Sequence, residues 1–181
     1  MKLVICSDIH GDADTLTELL SRFSEEGADK LVILGDLLYH GPRNDLPKGY
    51  APKKVISLLS EVKEKIISVR GNCDTEVDQM VLPFPILSDY SYILTDGLTL
   101  LLTHGHKYSP ENPPPMASGT LLLGGHTHVP KFVELEDGSY YFNPGSISLP
   151  KENNPKTYAV YENRTITLKE LTGKIISENK I

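Results

Sequence analysis

The stretch Lys2-Leu3-Val4-Ile5-Cys6-Ser7-Asp8 (KLVICSD, residues 2–8) decides how the rest of the chain is read. Leu3 to Cys6 are apolar without a break, and the run stops at a carboxylate. A short continuous apolar run bounded by polar residues fits a strand buried on both faces, as in a parallel sheet covered by helices. A helix is expected next, with Leu16, Leu19, Leu20 and Phe23 on one face. Asp12, Asp14 or Thr15 is placed to cap its start and Gly27 to end it. The pattern then repeats. KLVILGD (30–36) is a second strand ending at Asp36, residues 37–52 form a Gly/Pro-rich loop, and KKVISLLSEVKEK (53–65) is a second amphipathic helix. Its inward residues are Val55, Ile56, Leu59 and Val62. IISVRGN (66–72) is a third strand, ending at Asn72. This β-α-β-α-β order implies parallel strands joined by right-handed crossovers.

The second half changes character. YSYILTDGLTLLLTH (90–104) reads as a hairpin about Asp96-Gly97, and KFVELEDGSYYFNPGS (131–146) as one about Asp137-Gly138. TYAVYENRTITLKEL (157–171) reads as a third, turning near Asn163. Between them lie a Pro-rich loop (109–119) and a strand, TLLLGGH (120–126). No composition break or internal repeat divides the chain, so one domain over residues 1–181 is expected. Its mixed parallel sheet would face a more antiparallel one, with helices on the outer faces.

Composition narrows the function. The formal net charge is −6 and no Lys/Arg run exists to neutralise a phosphate backbone, which argues against non-specific nucleic-acid binding. The N-terminal apolar run is too short for a signal peptide or a membrane span. Two cysteines, Cys6 and Cys73, do not make a disulfide scaffold, so a cytoplasmic protein with free thiols is expected.

The chemistry collects where apolar runs stop. Five of them end in a metal-capable side chain: Asp8, Asp36, Asn72, His104 and His126. Open α/β sheets gather ligands beyond the carboxyl ends of their strands, so five such ends side by side would converge on one crevice. His10 and His128 stand at i+2 from Asp8 and His126, and extended backbone would turn each pair to one side. Two carboxylates, one amide oxygen and four imidazoles suit borderline ions such as Mn, Fe or Zn, with Ni and Co as further alternatives, better than calcium. Seven donors are too many for one ion and suit two ions sharing a carboxylate.

These segments, SDIHG (7–11), GDLLYHG (35–41), GNCD (71–74), LTHGH (102–106) and GGHTH (124–128), resemble in order the five blocks of the calcineurin-like metallophosphoesterases. FNPGSIS (142–148) is similar to a tail element of small prokaryotic members, and GDLLYHGPRNDLPKGYAP (35–52) resembles a bacterial phosphodiesterase branch. The resemblance implies a four-layer α/β/β/α sandwich of two mixed sheets with a dinuclear site, most readily manganese. One ion would be held by Asp8, His10, Asp36 and His128, the other by Asp36, Asn72, His104 and His126. Asp36, Asn72 and His104 are the residues expected to carry catalysis. A hydroxide bridging the ions would attack a small phosphodiester in line, leaving a phosphomonoester and an alcohol or phenol. A phosphomonoesterase on the same site is the alternative, and a non-catalytic protein-interaction scaffold a more distant one.

Cys73 stands where many relatives carry histidine as a general acid, which implies weak protonation of the leaving oxygen and slow turnover of alkyl esters. Arg43, Arg70 and His40 are expected to meet substrate, since guanidinium matches phosphate oxygens bidentately. Asp74 and His106 are expected to orient neighbouring ligands, with Cys73 a small filler beside them. The hairpin edge within 158–171 is expected to offer a surface for a homo-oligomer.

Overall fold

A computed structural model describes residues 1–181. The first strand, β1 (Leu3–Cys6), lies at the centre of a six-stranded sheet. It pairs in parallel with β2 (Lys30–Ile33), which pairs in parallel with β3 (Ile66–Ser68). On its other side β1 pairs antiparallel with β9 (Thr157–Glu162), followed by β10 (Thr165–Glu170) and β11 (Ile175–Lys180). The second sheet runs β4 (Tyr90–Thr95), β5 (Leu98–Thr103), β6 (Leu121–Leu123), β8 (Tyr140–Asn143), β7 (Lys131–Glu134). Within it β5, β6 and β8 are parallel and the two outer strands antiparallel. Both sheets are therefore mixed to a similar degree, where the second was expected to be the more antiparallel.

The unbroken apolar runs are explained by period-2 alternation between two cores. Val4, Cys6, Leu31, Ile33, Tyr158 and Val160 face the helices α1 (Ala13–Glu25) and α2 (Pro52–Glu61). Leu3, Ile5, Val32, Leu34, Ala159 and Tyr161 face Leu100, Leu102, Leu121, Leu123 and Phe142 of the second sheet. The inner strands β1, β2 and β9 are covered on both faces, so both parities must be apolar there. Leu16, Leu19 and Phe23 of α1 are buried as the helical spacing requires, while Leu20 packs at the margin. Asp12 caps α1 by accepting from Asp14 N and Thr15 N.

The helical cover is one-sided. Beyond the second sheet lies a small apolar cluster of Leu101, Leu122 and Tyr141, packed against Met116 and Leu135. Met116 belongs to the Pro-rich segment, whose prolines remove the N–H groups a covering helix would need. Loop thus occupies the outer layer where a helix was expected. Two elements were not read from the sequence. Helix α3 (Glu76–Val81) starts at a reciprocal Thr75/Asp78 capping box. Strand β11 is polar, and it pairs along β10 from Thr165 to Lys169. The hairpin at 158–171 is therefore covered within the chain and offers no free edge. The expected subunit contact there is corrected on that ground.

Candidate metal centre

Parallel pairing directs the carboxyl ends of β1, β2, β3, β5 and β6 to one rim. Asp8, Asp36, Asn72, His104 and His126 lie one to four residues past those ends. Asp8, His10, Asp36, His104 and His128 are all nearly inaccessible, at 0–3% exposure, which is unusual for so many ionisable groups.

The i+2 pairs meet by a different route from the expected one. Asp8 (φ 58), His10 (φ 47), Asp36 (φ 56), His126 (φ 67) and His128 (φ 61) all occupy left-handed backbone. Asp and His tolerate this region better than most residues, but each such residue costs on the order of 1–3 kcal/mol when strained. Surrounding bonds hold the strain in place. Asp8 N donates to Gly35 O and His10 N to Asp36 O, while Ser146 Oγ and Ser148 Oγ both donate to Asp8 O at 2.9 and 2.8 Å. Asn143, in the NPGS turn, donates through Nδ2 to Gly125 O and Thr127 Oγ1 and so secures the GGHTH loop.

The donors converge. His128 Nε2 is 3.2 Å from Asp8 Oδ1 and 3.2 Å from His10 Nε2. His104 Nε2 is 3.4 Å from Asp36 Oδ2 and 3.1 Å from Asn72 Oδ1. Asp36 Oδ2 is also 3.7 Å from His10 Nε2, so one carboxylate oxygen lies between the two groups. The histidines of GGHTH divide accordingly, with the His128 ring 5.0 Å from His10 and the His126 ring 5.2 Å from His104.

Three of the imidazoles are oriented from behind. Nδ1 of His10, His104 and His128 lies 2.7, 2.6 and 2.5 Å from the carbonyls of Tyr39, Leu34 and Leu149. A carbonyl accepts only, so each Nδ1 donates, and Nε2 is left to face the cluster. The outer carboxylate oxygens are tied as well: Asp8 Oδ2 accepts from His126 N and Asp36 Oδ1 from Cys73 N. Asp8 Oδ1, by contrast, is buried without a hydrogen-bond donor. An unpartnered buried carboxylate oxygen beside imidazole Nε2 atoms is what a divalent cation satisfies, and the donor set fits that demand. Three overlapping groups bring their donor atoms within 4.8 Å of one another, close enough to hold an ion: Asp8/His10/His128, Asp8/Asp36/His104 and His10/Asp36/Cys73.

Charge follows the same layout. Burial alone would raise the Asp8 carboxyl, but the imidazoles of His10, His104 and His128 crowded beside it outweigh that and hold it well below the usual range. Asp36 is lowered despite its burial, chiefly by His104. Burial works against a charged His104, yet Asp36 and Asp8 push it up to about 9. His106 goes the other way, down to about 4, through burial and the neighbouring His104 and His126.

The remaining candidate residues divide between the cavity and its surroundings. Asp74 grips the backbone behind Asp36: Oδ2 accepts from Asp36 N and Gly71 N, and Oδ1 from Leu37 N. Gly71 is required there, because a Cβ at that position would stand 2.1 Å from Asp36 Oδ1. Arg43 lines the cavity of about 200 Å³ that contains His10, Asp36, Asn72, His126 and His128. Arg70 does not. Its Nε donates to Asp74 O and its Nη2 lies 3.7 Å from Glu76 Oε1, because the chain turns it toward α3. His40 is likewise off the cavity, packed edge-on between Tyr39 and Tyr50. His106 makes no hydrogen bond that would orient His104 or His126, its Nδ1 being unpartnered. The Cys73 thiol lines the cavity, and burial together with Asp36 pushes it up to about 12. Asn44 and Lys151 also line it and were not singled out from the sequence. Lys151 N donates to His128 O, a contact across the fold that no local pattern announces.

The chain is similar to known proteins along nearly its whole length. Residues 1–165 match the model of the calcineurin-like phosphoesterase superfamily domain. The chain is 48% identical over 176 residues to phosphodiesterase YfcE of Escherichia coli K12, covering 97% of this chain and 95% of that one. A solved structure of Yfce, described as a phosphoesterase from E. coli, superposes with a TM-score of 0.95 at 47% identity, with both chains fully covered. Zinc-complexed Vps29 from Entamoeba histolytica shares the fold alone, at 17% identity and a TM-score of 0.61 over 99% of this chain and 98% of that one. The chain belongs to the calcineurin-like phosphoesterase superfamily and is a phosphoesterase.

Proposed function

We propose that the protein is a two-metal phosphodiesterase, manganese-activated, that hydrolyses a small phosphodiester to a phosphomonoester and an alcohol or phenol. The observation that carries this reading is Asp36 Oδ2, set 3.7 Å from His10 Nε2 and 3.4 Å from His104 Nε2. One ion would be held by Asp8, His10, Asp36 and His128, and the second by Asp36, Asn72, His104 and His126. When bound, such ions would supply an activated water and neutralise phosphoryl oxygens. The chain's own part is preorganisation. Backbone carbonyls fix the imidazole tautomers, Asp74 fixes Asp36, and the serine pair fixes Asp8. Arg43 and Lys151 supply the cationic rim that draws an anionic ester into an otherwise acidic protein.

The preference for diesters rests on the 48% identity to a phosphodiesterase and on Cys73. A thiol at about 12 is a poor proton donor near neutrality, so good leaving groups are favoured. The test is a panel on chelated protein reloaded with Mn, Fe, Zn, Ni or Co, assayed on bis-aryl and mono-aryl phosphates. Turnover of the diester, strongest with manganese, is expected. Turnover of the monoester alone would overturn the reading.

A further inference from the structure

A second cavity, of about 400 Å³, opens on the far side of Cys73 from the metal centre. Its walls are mostly apolar, among them Tyr39, Tyr50, Ile56, Val77 and Val81, with Lys53, Thr75 and Asp78 as the polar members and Cys73 shared with the metal centre. Cys73 lines both cavities, so the two are adjacent across one small side chain. The backbone there is thin as well, since a Cβ on Gly41 would lie 3.3 Å from Cys73 Sγ.

The composition of this cleft is not that of an ordinary surface. Val77 and Val81 stand on one face of α3 and are 69% and 48% exposed, and Tyr39 beside them is 42% exposed. Apolar side chains scattered singly need no explanation, but a concave group of them beside a reaction centre marks a binding site. The His40 ring is held between Tyr39 and Tyr50, and Tyr50 pairs its backbone with Asp12 at the start of α1. The metal-bearing cavity is lined almost wholly by polar groups, so an apolar ester arm finds no partner inside it.

We propose that this cleft is a subsite for one ester arm of the substrate, and that the arm is an aromatic or branched apolar group rather than a sugar or a charged headgroup. The inference rests on the phosphodiesterase reading above and names the substrate class for that site. The phosphoryl group sits among the histidines, and the arm passes Cys73 to lie against Tyr39 and Val77.

The experiment uses the full chain. Manganese-loaded protein is assayed on bis(p-nitrophenyl) phosphate with dimethyl, bis-glyceryl, dicyclohexyl or diphenyl phosphate as the competitor. The diphenyl and dicyclohexyl esters are expected to show inhibition constants about 10-fold below the dimethyl and bis-glyceryl esters, at the low end of what burying such a group supplies. Val77→Asp, a carboxylate in the first turn of α3 where the helix tolerates it, is expected to erase that difference and leave inhibition by the dimethyl ester unchanged. In metal-free protein, diphenyl phosphate is expected to shift the NMR methyl signals of Val77 and Val81. Equal inhibition constants across the series, or a Val77→Asp effect that is the same for every competitor, would overturn the subsite. So would Val77→Asp breaking a larger assembly apart in sedimentation, which would make the cleft a subunit contact. Absence of turnover of bis(p-nitrophenyl) phosphate would instead sink the phosphodiesterase reading. The subsite would then stand or fall on the methyl shifts.

Discussion

Asp36 turns one carboxylate oxygen to Cys73 N at 2.8 Å and the other to His104 Nε2 at 3.4 Å. The first contact fixes the carboxylate and the second makes it the joint between the two donor groups. Asp36→Asn keeps the volume and removes the carboxylate charge. A loss of turnover on the order of 10³-fold is expected, with far-UV circular dichroism unchanged. Retained turnover in this variant would defeat the dinuclear mechanism.

Asp74 acts one step back. It accepts three backbone N–H bonds, and burial raises its carboxyl to about 6. A carboxyl raised on folding binds more protons in the native than in the unfolded state between its unfolded value near 4 and about 6, so its contribution falls as pH rises through that window. Asp74→Asn puts an NH₂ against N–H donors and is expected to cost about 2–3 kcal/mol at neutral pH. Denaturant melts at pH 4.5 and 7.5 are expected to show the gap between wild type and variant narrower at the higher pH.

Gly71 tests close approach. A methyl there collides with both Asp36 Oδ1 at 2.1 Å and Asp36 N at 2.3 Å. Gly71→Ala is expected to lower stability by roughly 1–3 kcal/mol and turnover by a larger factor than that loss implies. A variant with wild-type kinetics would mean that the loop relaxes freely.

Cys73→His introduces a group that titrates near neutrality where a thiol stands at about 12. Turnover of alkyl esters is expected to rise at least about 10-fold, with little change for p-nitrophenyl esters. The backbone N–H to Asp36 is kept, so an unchanged alkyl rate would place the proton source elsewhere.

Metal uptake must displace protons. His104 stands near 9 in the metal-free chain because Asp36 and Asp8 face it, and coordination needs its Nε2 free. Manganese affinity is therefore expected to increase from pH 6 to pH 9 and to flatten above. Calorimetry in buffers of different ionisation enthalpy should report net proton release at pH 7.5. No release would contradict the assignment of His104 as a ligand.

Residue types and their order carried much of this. The unbroken run LVIC, repeated at LVI, marked the central parallel strands, because a strand covered on both faces has little place for a polar residue. Asp8, Asp36, Asn72, His104 and His126 were visible as strand-end groups for the same reason. What pattern could not supply was anything settled by contact across the fold. Left-handed backbone at Asp8, His10, Asp36, His126 and His128, and not extended i+2 spacing, aims those side chains. The turn of Arg70 toward Glu76, the seating of His40 between two tyrosines, and the docking of Lys151 under His128 join residues from separate elements. Periodicity reports which face of an element is dry. Only the packed chain decides which neighbour a polar side chain meets there.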